Sequence, residues 1–184
     1  MIFDIVLLII GVFTSVMLTY SSVKLGISPM PSSRKAYNTM MKLVDETGSG
    51  PIIDLGSGWG SFVFRAAKRH PKRQIVGYEL SFLPWLISIV LKKLLNVKNL
   101  TLYRQDFYNV NLSEVSVLVC YLYPKAMEKI KTKLLLGQYK VEFLISNNFA
   151  LPSWQPDKIV HLNDFYKSPI YLYKISKGDF GSQH

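Results

Sequence analysis

The sequence has little of what builds disulfides and metal sites: one cysteine, Cys120, and three histidines among 184 residues. One cysteine excludes an intrachain disulfide, and no cysteine and histidine residues stand at the spacing of a metal site. Cys120 ends the apolar run 117–120, so we interpret it as a buried strand residue and not as a nucleophile. The sequence therefore predicts no metal site, and it contains no Ser/His/Asp set or carboxylate pair arranged for hydrolysis.

Acidic residues are also scarce, with 12 Asp and Glu against 22 Lys and Arg, which gives a formal net charge of +10. No RNA-recognition or zinc-finger signature accompanies the basic residues, so we expect no specific nucleic-acid partner. Two interpretations of the charge stay open at this point. It can attract the chain to an anionic membrane surface, or it can form a solvated basic face without a partner.

Charge is absent from residues 5–23, a run of 19 residues. As a helix rising about 1.5 Å per residue, the run would be about 28 Å long, close to the thickness of a bilayer core. A cleaved signal peptide fits less well, because Asp4 and no basic residue precedes the run and no A-x-A-like site follows it. A long core helix is the other alternative. Basic residues stand only after the run, at Lys24, Arg34 and Lys35, which predicts a single-pass membrane protein with its bulk on the cytoplasmic or matrix-equivalent side.

The remaining chain is long enough for one domain. The segment GISPMP at residues 26–31 has two prolines that cannot continue a helix, which indicates a linker. We therefore predict a membrane anchor over 1–25, a linker over 26–33 and a single domain over 34–184.

Apolar strands alternate with helices along that domain, and this pattern is typical of a parallel sheet covered on both faces. The last two strands have no helix between them, which predicts an antiparallel hairpin at the sheet edge. The fold class is thus α/β, a Rossmann-like, doubly wound, mostly parallel sheet of seven strands. A first helix is capped by Ser32 or Ser33, further helices lie near 60–69, 84–96 and 125–135, and strands lie near 52–55, 74–78, 100–104, 115–121, 141–146, 158–163 and 170–175.

Three glycines at alternate positions, Gly56, Gly58 and Gly60, follow the first strand and precede a helix. A dinucleotide site prefers G-x-G-x-x-G, whereas the third glycine here comes one residue early. Asp54 precedes the first glycine by two positions. S-adenosylmethionine has no phosphate but has a cationic amino-acid end and a sulfonium, which suit a carboxylate. We predict that Asp54 and the turn that contains Ser57 bind this cofactor, the alternative being a tight turn without a ligand.

Two further acids follow the next two strands. Glu79 ends the strand 74–78, at the position where this architecture places a carboxylate on ribose hydroxyls. Asp106 follows the third strand and can accept from the adenine amino group, with Phe107 against the ring. Three acids at the carboxyl ends of consecutive strands strengthen the prediction of S-adenosylmethionine as the cofactor.

The sequence resembles the seven-strand Rossmann-like methyltransferases over roughly residues 34–175. More narrowly, it resembles the membrane-anchored lysine methyltransferases whose mitochondrial members modify the ATP synthase c-subunit and the adenine nucleotide translocase. One departure is Trp59, where that family often has an acid. The resemblance rests on the N-terminal apolar segment, Pro31 to Ser33, Asp54 to Gly58 (DLGSG), Gly77 to Leu80 (GYEL) and Asn147 to Trp154 (NNFALPSW).

Residues after the fourth strand normally border the methyl acceptor, and here they are Tyr121-Leu122-Tyr123-Pro124. The Asn/Asp-Pro-Pro-aromatic signature common among base methylases is absent from this stretch. A lysine acceptor must be neutral, and an apolar, aromatic site favours the neutral amine. We expect Tyr121 and Tyr123 to be the catalytic pair that lines this channel, the alternative being that they only pack at the sheet edge.

The predicted function is S-adenosylmethionine-dependent N-methylation of a lysine in a membrane-associated protein. Two alternatives remain. The chain can methylate a small molecule such as a membrane quinone or lipid, or it can be a membrane-tethered module that binds S-adenosylmethionine without turnover.

Overall fold

The computed structural model describes residues 4–8, 11–12, 32–110 and 112–175. The chain divides into two compact units, residues 1–31 and 32–184. The boundary between them falls inside the segment 26–33 that the sequence predicts as a linker.

In the first unit the described residues, 4–8 and 11–12, are helical and exposed. Across the part of the chain that the structure describes, no helix combines the length and the apolar character needed to cross a membrane. The predicted single-pass localisation is therefore corrected on this finding. The rest of the predicted span, residues 9–10 and 13–23, lies outside the described residues.

The second unit alternates strands with helices, as the apolar pattern predicts. Its helices are α1 (Arg34–Asp45), α2 (Ser61–Arg69), α3 (Phe82–Leu94) and α4 (Pro124–Leu135), with a short 3-10 turn at Phe107–Asn109. Its strands are β1 (Ile52–Leu55), β2 (Ile75–Tyr78), β3 (Leu100–Tyr103), β4 (Leu112–Cys120), β5 (Tyr139–Asn147), β6 (Lys158–His161) and β7 (Pro169–Lys174).

The seven strands form one sheet in the order β3-β2-β1-β4-β5-β7-β6. The pairs from β3 to β5 are parallel, and β7 is antiparallel to both β5 and β6. The predicted mostly parallel sheet of seven strands with an antiparallel edge is thus confirmed. Because β1 to β4 are parallel, their carboxyl ends lie at one edge of the sheet, where open α/β folds bind ligands.

The helices cover this sheet through apolar faces that the sequence spacing indicates. Buried side chains of α1 and α2 join those of the strands in one core, which Trp85 and Ile89 of α3 pack against. The side chain of Ser33 caps α1 by accepting from the backbone N–H of Ala36, which satisfies one of the free donors at the helix start. Helix α4 packs against β5.

Several boundaries differ from the predicted ones by a few residues, and two of these differences have a local reason. Strand β4 begins at Leu112 and not near 115, because an irregularity between Leu112 and Val115 lets the pairing with β5 resume beyond it. Helix α3 begins at Phe82 and not at 84, since Pro84 lies in its first turn, where a missing backbone N–H costs nothing.

Candidate functional site

The glycine turn after β1 is built by backbone that only glycine adopts readily. Gly56, Gly58 and Gly60 have φ values of +79°, +53° and +79°, all in the left-handed region. The amides of Gly56 and Ser57 both donate to the carbonyl of Tyr78, each at 2.9 Å. The turn is thereby held against the end of β2, and Gly60 is the residue that caps α2.

The carboxylate of Glu79 ties this turn to the start of α3. Its Oε2 accepts from the amide of Gly58 at 2.8 Å, and its Oε1 accepts from the amide of Ser81 at 2.7 Å. Glu79 is buried, so both bonds are shielded from water. The sequence predicts an acid beside the turn, but only the structure shows that the acid holds the turn in place.

Asp54 is a buried carboxyl at the centre of the sheet. It is paired in register with Gly77 of β2 on one side and Val119 of β4 on the other. Burial, and after it the charge of Glu79, raises the pKa of Asp54 to about 8. Two carboxyl groups therefore share one low-dielectric site, a setting in which a cation would be bound strongly.

The raised pKa of Asp54 predicts a pH-dependent stability. In the unfolded chain Asp54 loses its proton near pH 4, whereas in the folded chain it keeps the proton to about pH 8. The free energy of unfolding should therefore fall as pH rises through this window, by about 2 kcal/mol between pH 6 and pH 8. Urea denaturation at both pH values should show this fall, and Asp54→Asn should remove it.

The fall in the free energy of unfolding between pH 6 and pH 8 is compared for wild type and Asp54→Asn. The difference between the two falls is the contribution of this carboxyl, separate from that of other titrating groups. His70 also makes stability depend on pH, because burial lowers its pKa, but its own surroundings are unchanged by the substitution. An equal fall in stability for both proteins would mean that Asp54 is already ionised in the folded chain.

The same region fits a bound S-adenosylmethionine. A Cβ placed on Gly58 would meet no described atom within 4 Å, so the backbone there faces open space. The hydroxyl oxygen of Ser57 is buried and has no hydrogen-bond partner among the described residues. An open approach, an unused hydroxyl and the two carboxyls of Asp54 and Glu79 match a ligand with cationic groups and ribose hydroxyls.

Asp106 and Phe107 lie beyond β3, at the same edge of the sheet. One oxygen of Asp106 caps the 3-10 turn by accepting from the amide of Tyr108 at 2.9 Å. The ring of Phe107 lies 4.4 Å from the ring of Tyr108, centroid to centroid, and the Phe107 carbonyl accepts from the hydroxyl of Tyr139 at 2.6 Å. The predicted contacts of Asp106 and Phe107 with adenine stay predictions.

Tyr123 belongs to the same aromatic cluster. Burial raises the pKa of Tyr108, and the neighbouring hydroxyl of Tyr123 and the charge of Asp106 add to the effect. Lys129 lies 4.6 Å from the centre of the Tyr108 ring. The sequence did not single out Tyr108, although it directly follows two residues assigned to the site.

Tyr121 faces a different neighbour, the loop that follows β5. Its ring stacks on Phe149 with the centroids 6.3 Å apart, and its hydroxyl accepts from the side-chain amide of Asn148 at 3.3 Å. The structure therefore brings the loop after β5 onto the segment after β4. Sequence reasoning named this loop only as part of the family resemblance and missed its contact with Tyr121.

Asn147 ends β5 beside this loop and is almost fully buried. Its side-chain nitrogen donates to the hydroxyl of Ser32 at 3.0 Å, while its side-chain oxygen has no partner among the described residues. A buried acceptor without a donor is costly unless a ligand supplies one. A polar residue at the carboxyl end of an apolar strand is the sequence signal that could have found Asn147.

The comparisons with known proteins agree with this geometry. The profile of the ANTKMT methyltransferase domain matches residues 54–158, which begin at Asp54 and end in β6. A protein-lysine N-methyltransferase of Saccharolobus islandicus (strain REY15A) is 23% identical over 155 residues, covering 80% of this chain and 93% of the relative. A lysine N-methyltransferase of the ATP synthase c-subunit from Xenopus laevis is 30% identical over 139 residues, covering 74% of this chain and 59% of the relative.

Among solved structures, an RNA methyltransferase from Salinibacter ruber in complex with S-adenosyl-L-homocysteine is similar over most of its length. The TM-score is 0.70 at 27% identity, and the match covers 80% of this chain and 95% of that chain. The present chain thus spans nearly all of this structure and of the archaeal relative, but less than two thirds of the frog relative.

Proposed function

Because this chain belongs to the family of the ANTKMT methyltransferase domain, we propose that it methylates the side-chain amine of a lysine in a membrane-associated protein. The predicted family and the predicted cofactor, S-adenosylmethionine, are confirmed by the family match and by the S-adenosylhomocysteine complex of the similar structure. The acceptor is the part that we propose. The observation that carries the proposed acceptor is the stacking of Tyr121, which follows β4, on Phe149, which follows β5.

In this proposal each residue has a binding role that its contacts allow. Asp54 holds the cationic amino-acid end, and Glu79 fixes the turn and reaches the ribose hydroxyls. Ser57 supplies its unused hydroxyl, and Asp106 with Phe107 lies against the adenine. When bound, S-adenosylmethionine supplies a methyl group activated by its sulfonium, so the chain's task is to position an amine in line with it.

The acceptor side is built from Tyr121, Tyr123 and the loop after β5. A free lysine has a pKa of about 10.4, so only about 0.1% is neutral near pH 7.4. The aromatic wall of Tyr121 and Phe149 favours the neutral amine by excluding water. The Tyr121 oxygen accepts from Asn148 and keeps a second lone pair, which can accept an N–H of the amine.

The names of the relatives favour lysine as the acceptor. The archaeal relative is named a protein-lysine N-methyltransferase, and the name of the frog relative gives a lysine of an ATP synthase component as its target. RNA is the second candidate, since the similar Salinibacter ruber structure is titled an RNA methyltransferase. The net charge of +10 is compatible with either acceptor.

Transfer of a labelled methyl group distinguishes these acceptors. The full chain is incubated with methyl-labelled S-adenosylmethionine and whole membranes that retain their ribosomes, and the protein, lipid and RNA fractions are counted separately. We expect label in the protein fraction, recovered as methyllysine after acid hydrolysis. Label confined to RNA or to lipid contradicts the lysine acceptor, and no label despite bound cofactor indicates a binding module. The Gly58→Arg variant is the negative control.

The substitution Tyr121→Phe tests the acceptor side of the site. It keeps the ring stacked on Phe149 but removes the hydroxyl that would orient the amine. We expect kcat to fall by about 10- to 100-fold, because the nitrogen gains positive charge as it is methylated and a hydrogen bond to a charged group contributes about 1.5 to 3 kcal/mol. The Kd of S-adenosylmethionine, measured by calorimetry, should be unchanged.

The matched control is Tyr166→Phe, which removes a hydroxyl from a tyrosine that is 84% exposed. It should leave both kcat and the cofactor Kd at wild-type values. If Tyr121→Phe also keeps the wild-type kcat, Tyr121 only packs at the sheet edge and the acceptor channel lies elsewhere.

A further inference from the structure

The outward face of α3 is apolar although it is exposed. Phe82, Leu86, Val90 and Leu94 recur every four residues and form one row along the helix, and all four are exposed. Ile87 and Leu91 are exposed beside this row. We call these six residues the α3 face.

The inner side of α3 does not explain the apolar outer side. Pro84 and Ser88 are the buried residues of the helix, and Trp85 and Ile89 pack against the core. A helix on a domain surface normally turns polar side chains outward, and a helix that is apolar all round is normally buried. Within the described residues, nothing covers the α3 face to the extent that its apolar composition predicts. Contiguous exposed apolar patches mark interaction sites.

The basic residues near the α3 face indicate an anionic partner. Between residues 56 and 105 the only acid is Glu79, which is buried and bonded to the backbone. The guanidinium of Arg104 lies 5.4 Å from the ring centre of Phe82, so a basic group borders the α3 face directly. The basic residues on α3 or after it in this stretch are Lys92, Lys93, Lys98 and Arg104.

An apolar helix face that is bordered by a basic residue, on a helix that contains no acid, has the character of an interfacial helix. We infer that α3 docks on an anionic lipid surface, with its apolar row among the acyl chains and Lys93, Lys98 and Arg104 at the headgroups. A second copy of this chain fits less well, because two such faces would bring like charges together. This docking needs no segment that crosses a bilayer.

The docked helix lies directly behind the cofactor turn. The hydroxyl of Ser88, on the inner side of α3, is 3.4 Å from the carbonyl of Gly58. Glu79 joins the same turn to Ser81, the residue that precedes α3. A lipid-bound α3 would therefore keep the glycine turn close to the membrane surface. The inference rests on the α3 face alone, so it holds whichever acceptor the enzyme uses.

The decisive experiment reports on α3 itself, whatever else binds the chain to lipid. The sole natural cysteine, Cys120, is buried, and burial raises its pKa to about 12, so it will not react with a thiol dye in the folded chain. An environment-sensitive dye is attached through Leu94→Cys in the full chain. The matched control carries the same dye through Leu136→Cys, since Leu94 is 76% exposed and Leu136, at the end of α4, is 66% exposed.

Both labelled chains are mixed with vesicles of equimolar phosphatidylglycerol and phosphatidylcholine that contain brominated acyl chains. We expect the dye at position 94 to be quenched several-fold and the dye at position 136 to keep its intensity. The double variant Lys93→Gln, Lys98→Gln should bind these vesicles roughly 25-fold more weakly than the wild-type chain. Each basic residue near an anionic surface contributes about fivefold to the affinity. Circular dichroism of each variant confirms the fold.

Three results would overturn the inference. The dye at position 94 can remain unquenched on a chain that sediments with vesicles, which would place another segment in the lipid. It can be quenched equally on pure phosphatidylcholine, which would remove the role of charge. The dye at position 94 can also be shielded before vesicles are added. Shielding that increases with chain concentration would indicate a second copy of the chain, and shielding that is independent of chain concentration would indicate another segment of the same chain.

Discussion

Gly58→Arg is expected to abolish binding of S-adenosylmethionine, with the Kd raised by at least roughly a hundredfold, or about 3 kcal/mol. The backbone at Gly58 faces open space, and the cofactor must approach it closely in our proposal. An arginine side chain would fill that space and would also offer a cation to Asp54 and Glu79. It would thus compete for the two carboxyls that the ligand needs. Calorimetric titration of the folded variant measures the loss.

The control for this substitution is Gly137→Arg. Gly137 has φ +66° against φ +53° at Gly58, and a Cβ on either glycine would meet no described atom within 4 Å. The two variants therefore share the added charge and a backbone strain of about 1 to 2 kcal/mol. We expect similar losses of thermal stability but normal cofactor binding for Gly137→Arg. Equal cofactor affinities in both variants would contradict the assignment of the glycine turn as the binding site.

Glu79→Ala is expected to lower the free energy of unfolding by about 2 to 4 kcal/mol and to weaken cofactor binding by at least about tenfold. The carboxylate accepts from the amides of Gly58 and Ser81, and alanine would leave both donors without an acceptor. Loss of the Glu79 charge also lowers the pKa of Asp54, which offsets part of the cost. Urea denaturation gives the stability, and calorimetry gives the affinity.

Two further variants separate the causes of this effect. Glu79→Gln retains one acceptor oxygen, so we expect a smaller loss of stability and a downward shift of the pH range over which Asp54 affects stability. Glu46→Ala removes an exposed carboxylate that pairs with Lys158, and it should change stability by less than about 1 kcal/mol. If Glu79→Ala is as mild as Glu46→Ala, the backbone bonds of Glu79 do not hold the turn.

Much of the fold could be predicted from the sequence, because its signals are local. The apolar runs of β1 and β2 are buried at every position, which is the pattern of a parallel sheet covered on both faces. The absence of a helix between β6 and β7 predicted the antiparallel edge. The glycine turn was predictable too, because glycine adopts the left-handed backbone that the structure shows at Gly56, Gly58 and Gly60.

The single-pass localisation predicted from residues 5–23 was wrong, and the exposed apolar side of α3 was not predicted. Hydropathy measures how apolar a segment is and does not say what covers it. The sequence 82–94 is apolar on several sides, which indicates a core helix, yet Val90 and Leu94 are exposed. Sequence reasoning accordingly predicted a membrane anchor at the N-terminal run and did not identify the α3 face.

By itself the sequence determined the order of strands and helices along the chain, the glycine turn after β1, and the presence of acids at the ends of β1, β2 and β3. Only the tertiary structure decided what those acids do. Glu79 bonds to the turn, and Asp54 keeps a raised pKa, because sheet register brings the two carboxyls together in a buried place. Tyr121 likewise meets Phe149 only through the pairing of β4 with β5. Such contacts join atoms far apart along the chain, and a local pattern does not encode them.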